Sequence, residues 1–127
     1  GSLADCKITQ GRNSRESVNR VVTFTGQAFK IPEDAVSILT FDEKYTNLLP
    51  DTAWVFNDKT PEVNVKGWSQ GAYGKSGKGR VVVFGEAAMF SAQLAGSNRS
   101  RVGMNHEKAA ENYKLLLNLI HWLDGRL

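Results

Sequence analysis

The chain has 127 residues, 41% of them hydrophobic, enough for one domain with a real core. Its net charge of +3 is too small for the concentrated basic stripe that nucleic acid selects, and its single cysteine, Cys6, excludes an intrachain disulfide. No apolar run approaches the roughly 20 residues that span a bilayer, and no signal peptide is visible.

Gly1-Ser2 reads as a scar left by tag cleavage, and residues 3–127 as a single α/β domain. Leu3 to Ser17 is polar and broken by Gly11, so it reads as an extended lead-in and loop. Arg20 to Thr25 has strand composition, interrupted by Gly26 and Gln27; Ala28 to Ile31 continues it until Pro32 closes the segment. Ser37 to Phe41 is a second strand. Leu48 to Asp51 reads as a turn, Trp54-Val55-Phe56 as a short edge strand, and Gly67 to Tyr73 as a strand whose glycines allow a bulge.

Gly74 to Gly79 reads as a hairpin loop that makes Tyr73 and Arg80 antiparallel neighbours. The run Arg80-Val81-Val82-Val83-Phe84 is the clearest strand; it stops at Gly85 and is followed by Glu86. A helix is expected from Ala87 to Leu94, ended by Gly96, and Ser97 to Asn105 reads as a basic loop. The last helix is expected over Glu107–Leu123, capped by Asn105. Tyr113, Leu116, Leu119, Ile120 and Leu123 share its apolar face at helical spacing, Leu115, Leu117 and Trp122 widen the arc on either side, and Lys114, Asn118 and His121 lie opposite.

Glu86 is the leading site candidate. In an α/β sheet ligands sit beyond the carboxyl ends of parallel strands, and a carboxylate there can act as a general base. The bland alternative is a helix cap or an arginine partner. Gln27, Gln70 and Asn105 are polar residues beside glycine or in a loop, and they are candidate walls of the same cleft. His106 is a second catalytic candidate, with capping or solvent contact as its alternative.

Other chemistries are excluded by spacing. Gly74-Lys75-Ser76 lacks the glycine a phosphate loop needs five residues earlier, where Ser69 stands, and it leads into a strand. His106 and His121 offer no metal-ligand spacing. Cys6 has no activating neighbour, and no Gly-x-Ser-x-Gly elbow occurs. No cofactor is implied. Lys75, Lys78 and Arg80, then Arg99 and Arg101, form two basic clusters that suit solvated loops or an anion or partner contact.

Several segments carry a family resemblance: Ile8 to Arg12, Val22 to Gln27, Gly67 to Ala72, Gly79 to Gln93, and Gly103-Met104-Asn105 with Asn118 to Leu123. Together they resemble the C-terminal half of an uncharacterised bacterial family related to class I glutamine amidotransferase-like and ThuA-like proteins. The resemblance implies a mixed sheet with packed helices, part of a flavodoxin-like three-layer fold whose first strands lie upstream. It also implies a sugar-like ligand and an extracytoplasmic bacterial setting. It does not carry amidotransferase activity, because Cys6 stands on no elbow and His106 is followed directly by Glu107 where the family has His-x-Glu.

Two functions remain open at this point. One is a non-catalytic ligand-binding or interaction module. The other is a hydrolase acting on a sugar or amide, with Glu86 as base and His106 assisting. A sheet edge left bare by absent upstream strands would in either case favour a homo-oligomer.

Overall fold

The computed structural model describes residues 1–127. In chain order it contains β1 (Ser2–Leu3), α1 (Lys7–Gln10), β2 (Val36–Thr40), β3 (Thr46–Leu48), β4 (Glu62–Asn64) and β5 (Ser69–Ser76). There follow β6 (Gly79–Phe84), a single 3-10 turn at Ala88–Phe90, β7 (Ala92–Ala95), β8 (Ser100–Gly103) and α2 (Asn112–Leu123). The main sheet has the order β1-β2-β5-β6, and all its pairs are antiparallel. β3 with β4 and β7 with β8 form two separate two-stranded ribbons. No helix is long and apolar enough to cross a membrane.

The flavodoxin-like, helix-packed three-layer expectation is therefore wrong. A doubly wound sheet needs parallel strands joined by long crossovers, most of them helical. Here no strand pair is parallel and only α2 exceeds one helical turn. The parallel-strand premise that singled out Glu86 falls with it.

The strand at Arg80–Phe84 and its antiparallel hairpin form as expected, but with a tighter turn. Ser76 pairs with Gly79, so only Gly77 and Lys78 bridge β5 and β6. The Ala87–Leu94 helix does not form: one 3-10 turn is followed by β7. Gly96 at φ +71° and Arg99 at φ +52° build the turn that folds β7 back onto β8. Arg20–Thr25 joins no ladder, and Trp54–Phe56 is exposed with no strand. β7 and β8 lie where a helix and a loop were expected, and β3 and β4 correspond to no expected strand.

α2 covers one face of the main sheet. Its Leu115, Leu119 and Trp122 pack with Ile8, Ile38 and Met89 in the core, each such side chain contributing about 1.5–3 kcal/mol of burial. Tyr73 meets the Trp122 ring edge-on at 5.0 Å, and the Arg80 guanidinium lies over that ring and donates to the Trp122 carbonyl.

The helix starts five residues later than expected and is rotated toward the Leu115 and Trp122 side of the expected arc. Asn112 and Asn118 are buried, whereas Tyr113, Leu117, Ile120 and Leu123 are each about half exposed. Asn105 does not cap it, and His121 is half-buried with an unpaired Nδ1. Hydrogen bonding explains the rotation. Asn118 Nδ2 donates to the carbonyls of Ile8 (2.8 Å) and Glu16 (3.0 Å), bonds that no leucine could make.

Candidate functional site

Residues 18–29 form a strap that runs from α2 across the end of β6. An extended segment must find partners for its amides and carbonyls. Side chains from distant elements supply most of them. Glu111 Oε2 accepts the amides of Asn19 at 2.7 Å and Arg20 at 3.0 Å. Asn112 takes Val22 as a strand neighbour would, accepting its amide at 2.9 Å and donating to its carbonyl at 2.8 Å, and it also donates to the Met89 carbonyl.

Glu86 continues the series. Its Oε1 accepts the amides of Phe24 at 2.8 Å and Thr25 at 3.0 Å. Gln70 Nε2 donates to the Thr25 carbonyl at 3.0 Å and to Glu86 Oε2 at 3.3 Å. Asn47 then grips Ala28 through both its amide and its carbonyl, and Phe29 pairs with Ser69.

Two glycines let the strap approach β6. Gln27 donates to the Gly85 carbonyl at 3.0 Å. A Cβ on Gly85 would sit 1.9 Å from the Gln27 oxygen; one on Gly26, at φ +109°, would sit 2.4 Å from the Gly85 oxygen. The Gly85–Glu86 step thus works as a close-approach point followed by a carboxylate anchor.

Burial raises the Glu86 pKa above the ordinary 4.5, against the opposing pull of the Phe24 and Thr25 amides. The Glu111 pKa is lowered, first by the Asn19 amide. No titratable group lies within hydrogen-bond reach of Glu86, which is 4% exposed. Its role in the structure is to hold backbone.

The five candidate residues separate accordingly. Glu86 and Gln70 meet directly. Gln27 is exposed on the strap. His106 touches the site through Phe24, whose ring it meets edge-on at 5.4 Å, and its Nδ1 accepts the Lys108 amide. Asn105 donates to the Gln93 carbonyl on β7; its Oδ1 is buried without a partner, and no bond links it to Glu86. No group of three or more His, Cys, Asp or Glu side chains converges as a metal-ligand set.

Beside Thr25, Gly26 and Gln27 opens a cleft of about 590 Å³, walled on its far side by the segment carrying Trp54 and Phe56. Asn47 and Thr46 complete its polar lining, and none of its lining residues is charged. Trp54 is 80% exposed and stands at φ +67°. A bulky side chain in that region is a backbone outlier. Neither Trp54 nor Asn47 was singled out in the sequence. The one available signal, an aromatic pair in a loop between Pro50 and Pro61, reads equally as an edge strand.

Comparison of the chain with protein-family models, curated proteins and solved structures yields no match.

Proposed function

We propose that this chain is a non-catalytic ligand-binding module that takes a neutral, sugar-like molecule in the Trp54 cleft. The observation that carries the reading is the conformation of Trp54. A left-handed backbone costs about 1–3 kcal/mol at a bulky residue, and an indole that is 80% exposed recovers little of that by burial. Such an outlier suits a binding surface better than a packing role. Its ring offers a flat apolar face, the part of a pyranose that bears only C–H groups can stack on it, and Gln27, Thr46 and Asn47 line the same cleft with donors and acceptors for hydroxyls. An uncharged lining suits an uncharged ligand, because an unpaired ion would lose solvation there. The volume lies within the roughly 300–1,000 Å³ common for small-molecule sites.

The hydrolase alternative needs an accessible base. Glu86 does not line the Trp54 cleft, it is 4% exposed, and its oxygens are engaged by amides and by Gln70. The amidotransferase-like relationship adds no support, since the sheet it implies is not formed.

The test is a titration with neutral mono- and disaccharides and with the matching uronic acids, read by tryptophan fluorescence and by amide shifts. A neutral sugar is expected to perturb Trp54, Gln27 and Asn47, the uronic acid less. Trp54→Ala is expected to abolish the response while changing stability by no more than about 0.5 kcal/mol. Failure of every neutral sugar to shift these amides would refute the reading.

A further inference from the structure

We infer that the Trp54 cleft is one end of a longer trench, and that its ligand is a linear, neutral oligosaccharide lying from Trp54 past Tyr45 toward Arg20, with Gln70 as the hydrogen-bond acceptor in the trench floor. This deepens the sugar-binding reading above and rests on it.

Three depressions follow one another along the strap. The Trp54 cleft shares Thr25, Gly26, Thr46 and Asn47 with a second depression of about 320 Å³. The second shares Thr23, Phe41, Tyr45 and Gln70 with a third of about 260 Å³, which reaches Asn19 and Arg20. Both walls keep chain order. One is the strap, read from Gln27 back to Asn19; the other runs from Phe56 back through Asn47 and Tyr45 to Leu39. Shared neighbours in the same order on both sides make one continuous trench of the three.

The floor holds an acceptor without a partner. Gln70 is 5% exposed, and its Nε2 is committed to the Thr25 carbonyl and to Glu86 Oε2. The Thr25 carbonyl can only accept, so it fixes which end of the amide is nitrogen. Oε1 takes no bond from the protein, yet it is not sealed from solvent. Gln70 lines both inner depressions, so a donor standing in the trench can reach it. On the strap wall the amides of Thr23 and Gly26 also lack a protein partner.

The lining selects the ligand. Trp54 and Phe56 stand at one end; farther along, the Phe41 and Tyr45 rings pack with centroids 4.9 Å apart, and Tyr45 is 43% exposed. Threonine hydroxyls and the Asn47 amide lie between these aromatic faces. Arg20 is the one charged side chain along the whole length, and the Gly1 ammonium at that end is paired with Asp42 at 3.1 Å. A polyanion would find a single arginine there, and a cationic chain no acid. Successive neutral rings, each with a C–H face and a hydroxyl rim, match alternating aromatic and hydroxyl partners.

The experiment uses the whole chain and two glucose series: β-1,4-linked from cellobiose to cellohexaose, and α-1,4-linked from maltose to maltohexaose. In the series that fits, affinity read by tryptophan fluorescence is expected to rise at least about tenfold from the two-ring to the four-ring member, as added rings find added contacts. The four-ring member is expected to shift the Gln70 side-chain amide and the Thr23 and Tyr45 backbone amides as well as Trp54. Thr23→Arg, at an exposed position, fills the middle of the trench and is expected to bring the four-ring affinity down to the two-ring value. If no member of either series moves Trp54, the sugar-binding reading fails and the inference with it. If two-ring sugars move Trp54 but longer ones bind no tighter and leave Gln70 and Thr23 unmoved, the inference alone is overturned. A gain with length that survives Thr23→Arg also overturns it, because the added rings would then lie outside the trench.

Discussion

The two ends of the strap are held by the same chemistry in different surroundings. At one end Glu111 accepts two consecutive amides at the margin of the molecule; at the other Glu86 does so in its interior. The Glu111 pKa falls and the Glu86 pKa rises. Hydrogen bonds to a carboxylate favour its charged form, whereas burial disfavours it. Glu111 also faces the Lys114 ammonium at 3.7 Å, which lowers its pKa further, whereas at Glu86 the loss of water outweighs the two amides. One anchor is an ordinary surface clamp, and the other keeps a carboxylate in place at an energetic cost.

The comparison breaks most sharply at Gly85. Gly85→Ala puts a Cβ 1.9 Å from the Gln27 oxygen, against backbone that cannot swing aside. A loss of about 3 kcal/mol or more is expected, since this is overpacking against fixed atoms. Urea denaturation measures it, and a near-neutral result would mean the interior end is not tightly fitted.

A smaller effect separates the anchors themselves. Glu86→Ala leaves the Phe24 and Thr25 amides without an acceptor in a water-poor site, at a cost of about 2–4 kcal/mol. Glu111→Ala exposes its two amides to water and costs about 1 kcal/mol. Equal losses in paired denaturation curves would contradict the burial argument.

The finest distinction is in pH. The folded pKa of Glu86 is raised, so its contribution is fully present below the ordinary value of 4.5 and declines as pH rises through the folded pKa. For Glu111 the folded pKa is lowered, so its contribution is present above 4.5 and is lost as pH falls through the folded pKa. Glu86→Gln is therefore expected to flatten the stability profile above 4.5, and Glu111→Gln below it. Stability measured against pH for both variants tests this, and identical profiles would sink the comparison.

The sequence made some of this legible. β2, β5 and β6 announce themselves as β-branched or alternating runs, and the turn between β5 and β6 by its glycines. Glu86 and Gln70 were both selected, on a premise about parallel strands that the sheet does not meet. What stayed hidden was any feature resting on a polar side chain replacing a strand partner. Asn118 lies opposite the apolar face by periodicity, and the face expected from Tyr113, Leu116, Leu119, Ile120 and Leu123 includes Leu119, which the helix buries, and Tyr113, Ile120 and Leu123, which it turns outward. Arg20–Thr25 has strand composition but pairs with no strand; polar side chains take its amides instead. Ala87–Leu94 follows helix propensity, but the turn at Gly96 and Arg99 makes a hairpin instead.

The strap's anchors are also remote along the chain: Glu111 lies 92 positions from Asn19, Asn112 lies 90 from Val22, and Glu86 lies 62 from Phe24. Closing such loops costs entropy before any bond repays it. The strap is therefore expected to order late in folding, after β6 and α2 have met, and to be among the first parts to open. One wall of the Trp54 cleft is built from this strap, so the proposed binding surface is expected to form only once the C-terminal helix has docked.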